Sequence, residues 1–458
     1  MNNQEDGAHE TSKPRVLVAQ LGARMHYAIP RMLHEAGMLE HFYTDICAVK
    51  GWPSLLNRLI VAQLGARRHY AIPRMLHEAE MLERFYTDIC AVKSWPFLLR
   101  VLPSSLQPAG LKRLLGRVPK GVPPEKITAF TSFGWEYYQR QRRAKTHSEI
   151  IAAYLWSGQE FCNLILKQGF GKATGVYTFN GAGLELLQAA KAQGLRTIME
   201  QTIAPRSIEQ QLLREEQLAF PDWELPLPDD MLGEQFCQRE QAEWRLADVI
   251  LCGSEFVREG IAACGGPLER CAVVPYGVDV RFSPIERLPH EGPLRVLTVG
   301  AVGLRKGSPY VLEAAKQLKG TAVFRMVGSV QVLPKAESML REHLELTGTI
   351  PRTEILSHYA WADVFLLPSL CEGSATVVYE ALATGLPVIC TPNTGSVVRD
   401  GVDGFIVPIR DAEAIVDGIE RLTSDANLLA KMFAVAAESY ACISLDRYRA
   451  NLIQAIGS

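Results

Sequence analysis

The chain has 458 residues, with 48 Lys and Arg against 50 Asp and Glu, a formal net charge of −2. This length exceeds one hydrophobic core and suits two domains. Hydrophobic residues make up 48% and charged residues 21%, which is typical of globular proteins. The near-neutral charge gives no indication of a nucleic-acid partner. No apolar stretch reaches the length of a membrane span, and the polar N-terminus resembles neither a signal nor a transit peptide.

The cysteine pattern bears on compartment and metal content. Ten cysteines are scattered without a C-x-x-C pair, and several, such as Cys252 and Cys390, stand in apolar runs. That usage is typical of reduced, buried thiols rather than disulfides or a zinc site. We therefore expect a cytoplasmic protein.

A tandem repeat opens the chain. Residues 18–50 recur as residues 61–93. The copies differ at three paired positions, which are Met25 and Arg68, Gly37 and Glu80, and His41 and Arg84. Such near-identity is unlike a solenoid and indicates a recent duplication or an assembly error. Each copy predicts the opening β-α-β of a Rossmann-like domain, which has one place for it. We expect the second copy to fill that place, because it runs directly into the rest of the domain.

Helices and strands alternate over residues 148–275, which predicts a parallel, doubly wound sheet. Loops at the carboxyl ends of such strands face the ligand crevice. This places Gly65 (or Gly22 of the first copy), Asn180 and Gly181 at the mouth of the cleft. Ordinary turns explain such residues equally well.

Two basic segments, residues 111–120 and 139–145, interrupt the first half of the chain. The first predicts a basic amphipathic helix. A solvated face explains both segments, and the alternative is peripheral contact with anionic lipid or with an acidic acceptor.

Residues 277–293 contain three prolines and no hydrophobic period, which predicts a linker. A second series of βα units begins at residue 294. The predicted organisation is a tail with the first repeat copy (1–59), a first domain (60–276), the linker (277–293), a second domain (294–442) and a closing helix (443–458).

The unit at residues 364–395 carries the strongest motif. A buried strand, a short loop, a helix expected at 375–383 with Ser374 as its cap, and a second strand follow one another. The small residues at the start of the helix favour an open anion site. Glu372 lies in the loop and Glu380 on the helix, whose side chains lean toward its N-terminus. Either glutamate also fits an ordinary solvated acid.

A glycine loop, residues 300–307, follows the first strand of the second domain. It matches neither the Walker A pattern nor G-x-G-x-x-G. It carries two adjacent cations, Arg305 and Lys306. Cations in such a loop suit an anionic leaving group, and a surface turn is the alternative.

The spacing of Glu372 and Glu380 resembles the E-x7-E signature of family 4 retaining glycosyltransferases. The resemblance continues through VPYGVD at 274–279, Lys306-Gly307 and VRDGVDGF at 398–405. It implies the α/β GT-B fold, in which two Rossmann-like doubly wound parallel-sheet domains face a central cleft that binds a nucleotide-sugar donor. It also implies that the last helix crosses back to the first domain.

The resemblance implies roles for individual residues. Lys306 would contact the diphosphate, Glu380 the ribose and Glu372 the transferred sugar, which makes Lys306 and Glu372 the catalytic candidates. The remaining implied donor-binding residues are Gly303, Arg305, Gly373, Ser374, Ala375 and Thr376, with Gly348, Thr349 and Ile350 near the base. The first domain would bind the acceptor, which puts Gly65, Asn180 and Gly181 on the acceptor side.

The chain departs from the family at Ala301, where relatives commonly have Arg. Arg305 offers a replacement in the same loop. The sequence contains no D-x-D motif, so neither a metal nor another cofactor is expected.

The sequence thus favours a retaining, metal-independent glycosyltransferase that moves a sugar from a nucleotide sugar to a hydroxyl of a glycan, lipid or small molecule. One alternative is an epimerase or phosphorylase on the same fold, which would need a general acid/base pair. The other is a catalytically silent nucleotide-sugar binding protein, motivated by Ala301 and the disrupted N-terminus.

Overall fold

The computed structural model describes residues 57–103, 107–228, 231–279, 281–287 and 290–457, and the strands β1 (Val16–Gln20) and β2 (Leu39–Thr44). These two strands form a parallel pair of their own. The chain divides into two compact units, Met1–Asn57 and Arg58–Ser458. Every site discussed below lies in the second unit, and Gly22 lies outside the described residues.

The first domain is built on a seven-stranded parallel sheet. Its strands are β3 (Leu59–Gln63), β4 (Leu82–Thr87), β5 (Ile127–Ala129), β6 (Gly175–Phe179), β7 (Arg196–Gln201), β8 (Val249–Cys252) and β9 (Cys271–Val273). Its helices are α1 (Ala71–Glu78), α2 (Ser94–Leu98), α3 (Ala109–Leu115), α4 (Thr131–Arg143), α5 (His147–Leu166), α6 (Leu184–Ala192), α7 (Arg206–Ala219), α8 (Met231–Leu246) and α9 (Glu255–Ala263).

The second domain is built on a six-stranded parallel sheet. Its strands are β10 (Leu294–Val299), β11 (Ala322–Val327), β12 (Glu345–Gly348), β13 (Val364–Leu367), β14 (Val388–Cys390) and β15 (Gly404–Ile406). The helices that follow are α10 (Ser308–Gln317), α11 (Pro334–His343), α12 (Ile355–Trp361), α13 (Thr376–Ala383), α14 (Ala412–Ser424), α15 (Ala426–Glu438), α16 (Tyr440–Ile443) and α17 (Leu445–Gly457). Short 3-10 turns are Arg67–Tyr70, Leu99–Val101, Pro124–Lys126, Leu268–Arg270, Leu304–Lys306 and Pro392–Thr394.

Both sheets have a doubly wound strand order. The first runs β5-β4-β3-β6-β7-β8-β9 and the second β12-β11-β10-β13-β14-β15. In each sheet the order reverses once, between β3 and β6 and between β10 and β13, and crevices at such switch points bind ligands. The predicted α/β architecture of two Rossmann-like domains is confirmed. The predicted site residues of both domains follow these four strands, apart from the three predicted near the base, which lie at the end of β12 and directly after it.

Two segments tie the domains together. The closing helix α17 returns to the first domain, where Arg449 pairs with Glu78 at 2.8 Å and the ring of Tyr448 packs on Tyr276. In the other direction, the segment after α7 reaches the second domain, and Trp223 is buried in that domain's core. The tie through Trp223 was not predicted from the sequence.

The basic helix expected over residues 111–120 is shorter than predicted. Helix α3 ends at Leu115, before Gly116 and Pro119, which disfavour helix continuation. Arg117 is half-buried and pairs with Asp88 instead of lying on a helical face. Among the described residues no helix has the length and apolarity needed to cross a membrane.

The second repeat copy supplies β3 and β4 of the seven-stranded sheet. Its Arg68 is largely removed from solvent and forms an ion pair with the buried Glu200. Glu200 also accepts hydrogen bonds from Tyr177 at 2.5 Å and from Tyr276 at 2.9 Å. Burial opposes ionisation of Arg68, but Glu200 and the neighbouring tyrosines together outweigh it and raise the arginine's pKa.

The positions that differ between the copies show which copy fits the opening β-α-β unit of the first sheet. At Glu80 the backbone is left-handed, with φ of 59°, and the Gly37 of the first copy would suit it better. That preference is worth roughly 1–2 kcal/mol. At Arg68 the first copy has Met25, which would leave Glu200 buried without its cation at a cost of about 3–5 kcal/mol. The ion pair therefore decides in favour of the second copy.

The exchange Arg68→Met should lower the free energy of unfolding by about 3–5 kcal/mol, because it leaves the Glu200 carboxylate buried and unpaired. The matched change Met25→Arg should leave it unchanged. Urea unfolding of both variants checks this, and equal effects would contradict the assignment of the slot to the second copy.

Candidate active site

Glycines bring the two loops of the second domain together. Gly307, with φ of 70°, ends the loop after β10, and a Cβ there would lie 2.1 Å from the carbonyl oxygen of Pro368. The chain approaches the loop after β13 this closely only because the side chain is absent. At Gly300 the stem of Lys306 packs directly against the backbone. Lys306 is thereby aimed at the loop that carries Glu372.

Glu372 lies between two cations. Its Oε1 atom is 2.6 Å from Nζ of Lys306 and 2.9 Å from Nη1 of Arg305. Arg305 also donates to the carbonyl oxygen of Cys371 at 2.9 Å. Lys306 and Glu372 are 8% and 9% exposed. The loops after β10 and β13, predicted separately, thus meet at one cluster in which Lys306 and Glu372 are buried and Arg305 is partly exposed.

The electrostatics of this cluster favour its ionised form. Burial opposes ionisation of Glu372, but Lys306 and Arg305 outweigh it, so the pKa of Glu372 lies below its ordinary value. Burial likewise opposes the charge on Arg305, and Glu372 raises its pKa. Two cations face one carboxylate, which leaves an excess positive charge for an anionic ligand.

The start of α13 differs from the prediction. Its N-cap is Ala375, without a side-chain cap, and the hydroxyl of Ser374 instead meets that of Tyr379 at 2.6 Å. The N–H of Ala375 donates to the carbonyl of Thr394 at 3.0 Å. The predicted cap at Ser374 was wrong, because its hydroxyl has a buried phenol as partner. Because the N–H of Ala375 donates to Thr394, it is not available to an anion at the start of α13 in this structure.

Glu380 is buried at the wall of a cavity of about 270 Å³. Its carboxylate accepts a hydrogen bond from Tyr359 at 3.0 Å and pairs with Arg352 at 3.2 Å. Burial raises the pKa of Glu380, although Arg352 and Tyr359 oppose the shift. Thr376 lines the same cavity.

The first domain closes the other side of this cavity with Arg68 and His69. Both have left-handed backbones, with φ of 44° and 50°. Burial, together with Arg352 and Arg281, lowers the pKa of His69. The imidazole of His69 and the guanidinium groups of Arg68 and Arg352 therefore line the same cavity as Glu380.

The residues predicted near a base follow β12. Gly348 ends that strand with φ of 73°, and Thr349 and Ile350 continue from it. None of the three lines the cavity at Glu380, where Arg352 does so instead. Their role toward a base stays a prediction.

The three residues predicted on the acceptor side are held by hydrogen bonds within the first domain. The N–H of Gly181 donates to Glu243 at 2.6 Å, and that of Gly65 donates to Asp88 at 3.1 Å. Asn180 accepts from the hydroxyl of Thr202 at 2.8 Å.

Asn180 thereby fixes the loop that touches the second domain. A Cβ on Gly373 would lie 1.9 Å from the carbonyl oxygen of Thr202. Gly373 must therefore be glycine where the domains meet, and Asn180 acts on this contact through Thr202.

Sequence reasoning missed Glu224, a residue of the segment that crosses to the second domain. Its carboxylate accepts the N–H of Leu304 at 2.6 Å, and a Cβ on Gly303 would lie 2.5 Å from it. The N–H of Gly303 donates to Ser308. Gly303 thus provides room for a contact from the other domain, and no local pattern in the sequence signals it. Arg352 and His69 were also missed, although both follow strands that end at the cleft.

Comparison with known proteins agrees with this geometry. Residues 293–425 match the family model described as glycosyl transferases group 1. The chain carries a glycosyl transferases group 1 domain. That domain covers β10 through α14 and therefore contains Lys306, Glu372 and Glu380.

Curated relatives of the chain are named as glycosyltransferases. WcaL of Salmonella typhimurium, named for colanic acid biosynthesis, is 28% identical over 238 residues, which are 47% of this chain and 59% of WcaL. A GDP-mannose-dependent phosphatidylinositol monomannoside mannosyltransferase of Mycolicibacterium smegmatis is 29% identical over 41% of this chain and 56% of its own length. The matches thus span little more than half of these relatives.

Solved structures share the fold across both domains. HepE of Anabaena, crystallised with UDP, has a TM-score of 0.59 at 13% identity and covers 87% of this chain and 99% of its own. Sucrose-phosphate synthase of Thermosynechococcus elongatus has a TM-score of 0.59 at 17% identity, covering 87% of this chain and 98% of its own. The predicted GT-B fold is confirmed.

The ionised state of Glu372 predicts a pH dependence. Its pKa is lower in the folded than in the unfolded chain, where it is about 4.3. The stabilisation is therefore complete above that value and is lost as the pH falls through the folded pKa. The Tm difference between wild type and Glu372→Gln should shrink under acidic conditions, while Glu313→Gln, at an exposed acid, should show no such trend. A difference independent of pH would contradict the ion pair.

Proposed function

We propose that the chain is a retaining glycosyltransferase that transfers a sugar from a nucleotide sugar to an acceptor hydroxyl without a metal. The observation that carries the proposal is the cluster of buried Lys306 and Glu372 with the partly exposed Arg305, beside Glu380, at the switch point of the second sheet. Ligands of doubly wound folds bind at this place.

Lys306 and Arg305 would neutralise the leaving diphosphate. Negative charge grows on that group as the glycosidic bond breaks, and fixed cations in a water-poor site stabilise it. In the structure both cations are paired with Glu372. A diphosphate would replace the carboxylate as their partner and release Glu372 toward the transferred sugar.

Glu380 would hold the ribose. A buried carboxylate accepts hydrogen bonds from hydroxyl groups, and it already accepts one from Tyr359. The adjoining cavity has a volume of about 270 Å³. HepE, which shares the fold, was crystallised with UDP. We infer a nucleoside diphosphate moiety here and leave its base to experiment.

The acceptor is proposed to be a glycan or a lipid. The relative from Mycolicibacterium smegmatis is named for a phosphatidylinositol mannoside acceptor, and another from Escherichia coli for a diphosphoundecaprenol-linked sugar. The leaving diphosphate would take the proton from the acceptor hydroxyl on the same face of the sugar, which retains the configuration. Peripheral membrane contact on the cytoplasmic side belongs to the same proposal.

A silent nucleotide-sugar binding protein is the second candidate, and Ala301 is the observation that favours it. The family commonly has an arginine at that position in addition to the lysine, and here Arg305 is the one cation of the loop besides Lys306. Both candidates would bind the nucleotide-sugar donor, but only the glycosyltransferase would turn it over. A thermal-shift screen of UDP-, GDP- and ADP-sugars identifies the donor, because a bound ligand raises Tm.

With the donor identified, Lys306→Ala should lower kcat/KM by roughly 100-fold or more, as expected when a donor to the transition-state charge is lost. Added magnesium should not restore it. Release of the nucleoside diphosphate measures both.

Lys316→Ala, at an exposed lysine of α10, is the matched control and should keep wild-type turnover. Full turnover in Lys306→Ala would rule out the proposed role. Donor binding without turnover in the wild type would favour the silent binding protein.

A further inference from the structure

The first domain carries an exposed apolar surface that the proposed reaction does not use. It is formed by residues 94–102, 109–115 and 135–142, and we call it the aromatic-basic surface. Its exposed large apolar side chains are Trp95, Phe97, Leu98, Val101, Leu102, Trp135 and Tyr138. Leu98 is 65% and Val101 85% exposed. A cluster of exposed apolar side chains is typical of an interaction surface.

Aromatic rings organise a groove in this surface. The rings of Trp95 and Trp135 meet edge to face at 6.0 Å, and those of Trp135 and Tyr138 lie 5.5 Å apart. Together with Leu111 and Leu114 they line a groove of about 630 Å³. Trp and Tyr combine an apolar body with a polar tip, which suits a boundary between apolar and wet surroundings.

The same region is strongly basic. Residues 93–145 contain eleven Lys or Arg and two Asp or Glu, in a chain whose net charge is −2. Arg100, Arg113 and Arg142 are exposed, and none has an ion pair within the part of the chain that the structure describes. Arg113 and Arg142 line the groove. The positive charge is therefore available to an anionic partner.

The groove adjoins the cleft. Arg117 lines it and pairs with Asp88 at 2.9 Å. Asp88 in turn accepts the N–H of Gly65, in the loop after β3 that faces the second domain. A molecule anchored at the groove would thus be held beside the predicted acceptor side.

We infer that the aromatic-basic surface docks on the anionic face of a lipid bilayer. The arginines would meet the headgroups, the Trp and Tyr rings would lie at their level, and Leu98 and Val101 would reach the acyl boundary. In combination with the proposed function, on which this consequence rests, docking would present a lipid-linked acceptor to the cleft.

The charge and the apolar side chains of this surface favour a bilayer over a second copy of the chain or a nucleic acid. A second copy of the chain would bring a surface of the same sign, and like charges repel. A nucleic acid would match the arginines but would offer no counterpart to Leu98 and Val101. A bilayer with anionic lipids satisfies both sets of side chains.

Co-sedimentation of the full chain with vesicles tests the inference. We expect binding to vesicles of phosphatidylcholine mixed with phosphatidylglycerol and little binding to phosphatidylcholine alone. Arg113→Glu combined with Arg142→Glu should weaken binding at least about tenfold, because two cations are lost and two anions are added at the surface. The matched reversals Lys319→Glu and Lys431→Glu, at exposed lysines of the second domain, should not.

A second pair of variants tests the contribution of the apolar side chains to vesicle binding. Val101 and Leu218 are both 85% exposed, yet only Val101→Glu should weaken vesicle binding. Equal loss in both variants, binding that ignores lipid charge, or no vesicle binding would overturn the inference. So would a dimer in sedimentation velocity that Leu98→Glu dissolves.

Donor binding is measured on the same protein by thermal shift. Vesicle binding without any donor binding would contradict the proposed function and leave the docking surface intact. Donor binding without vesicle binding would contradict the docking surface alone. The two failures are therefore distinguishable.

Discussion

The buried carboxylate of Glu372 between Lys306 and Arg305 is the interaction on which the site depends. Two adjacent cations in a loop that is largely removed from water would be costly without an anion beside them. Glu372 fills that requirement, and its Oε1 atom lies 2.6 Å from Nζ of Lys306. A diphosphate in its place would meet cations already oriented, so little reorganisation would accompany the reaction.

Contacts between the domains support the same loops. Thr202 meets the backbone at Gly373, Glu224 accepts the N–H of Leu304, and Trp223 enters the core of the second domain. Glu216, on α7, accepts a hydrogen bond from Tyr310 at 2.9 Å. The glycine loop is thus shaped by the first domain as well as by its own sheet. Opening of the cleft would have to break these contacts.

The sequence predicted the fold and the loops of the site well, because both depend on local patterns. Apolar strands followed by glycine loops place Arg305, Lys306 and Glu372 at strand ends, and the strand order reverses where parallel sheets bind ligands. What it could not predict depends on distant partners. Ser374 was expected as a helix cap, but Tyr379 binds its hydroxyl; Glu224 lies 80 residues from Leu304 along the chain.

The most direct test of the account is a crystal structure of the chain with a bound nucleoside diphosphate. We expect Nζ of Lys306 to donate to a phosphate oxygen, Glu372 to be released from that lysine, and Glu380 to accept from a ribose hydroxyl. A diphosphate bound elsewhere, with the pair of Lys306 and Glu372 intact, would contradict the account.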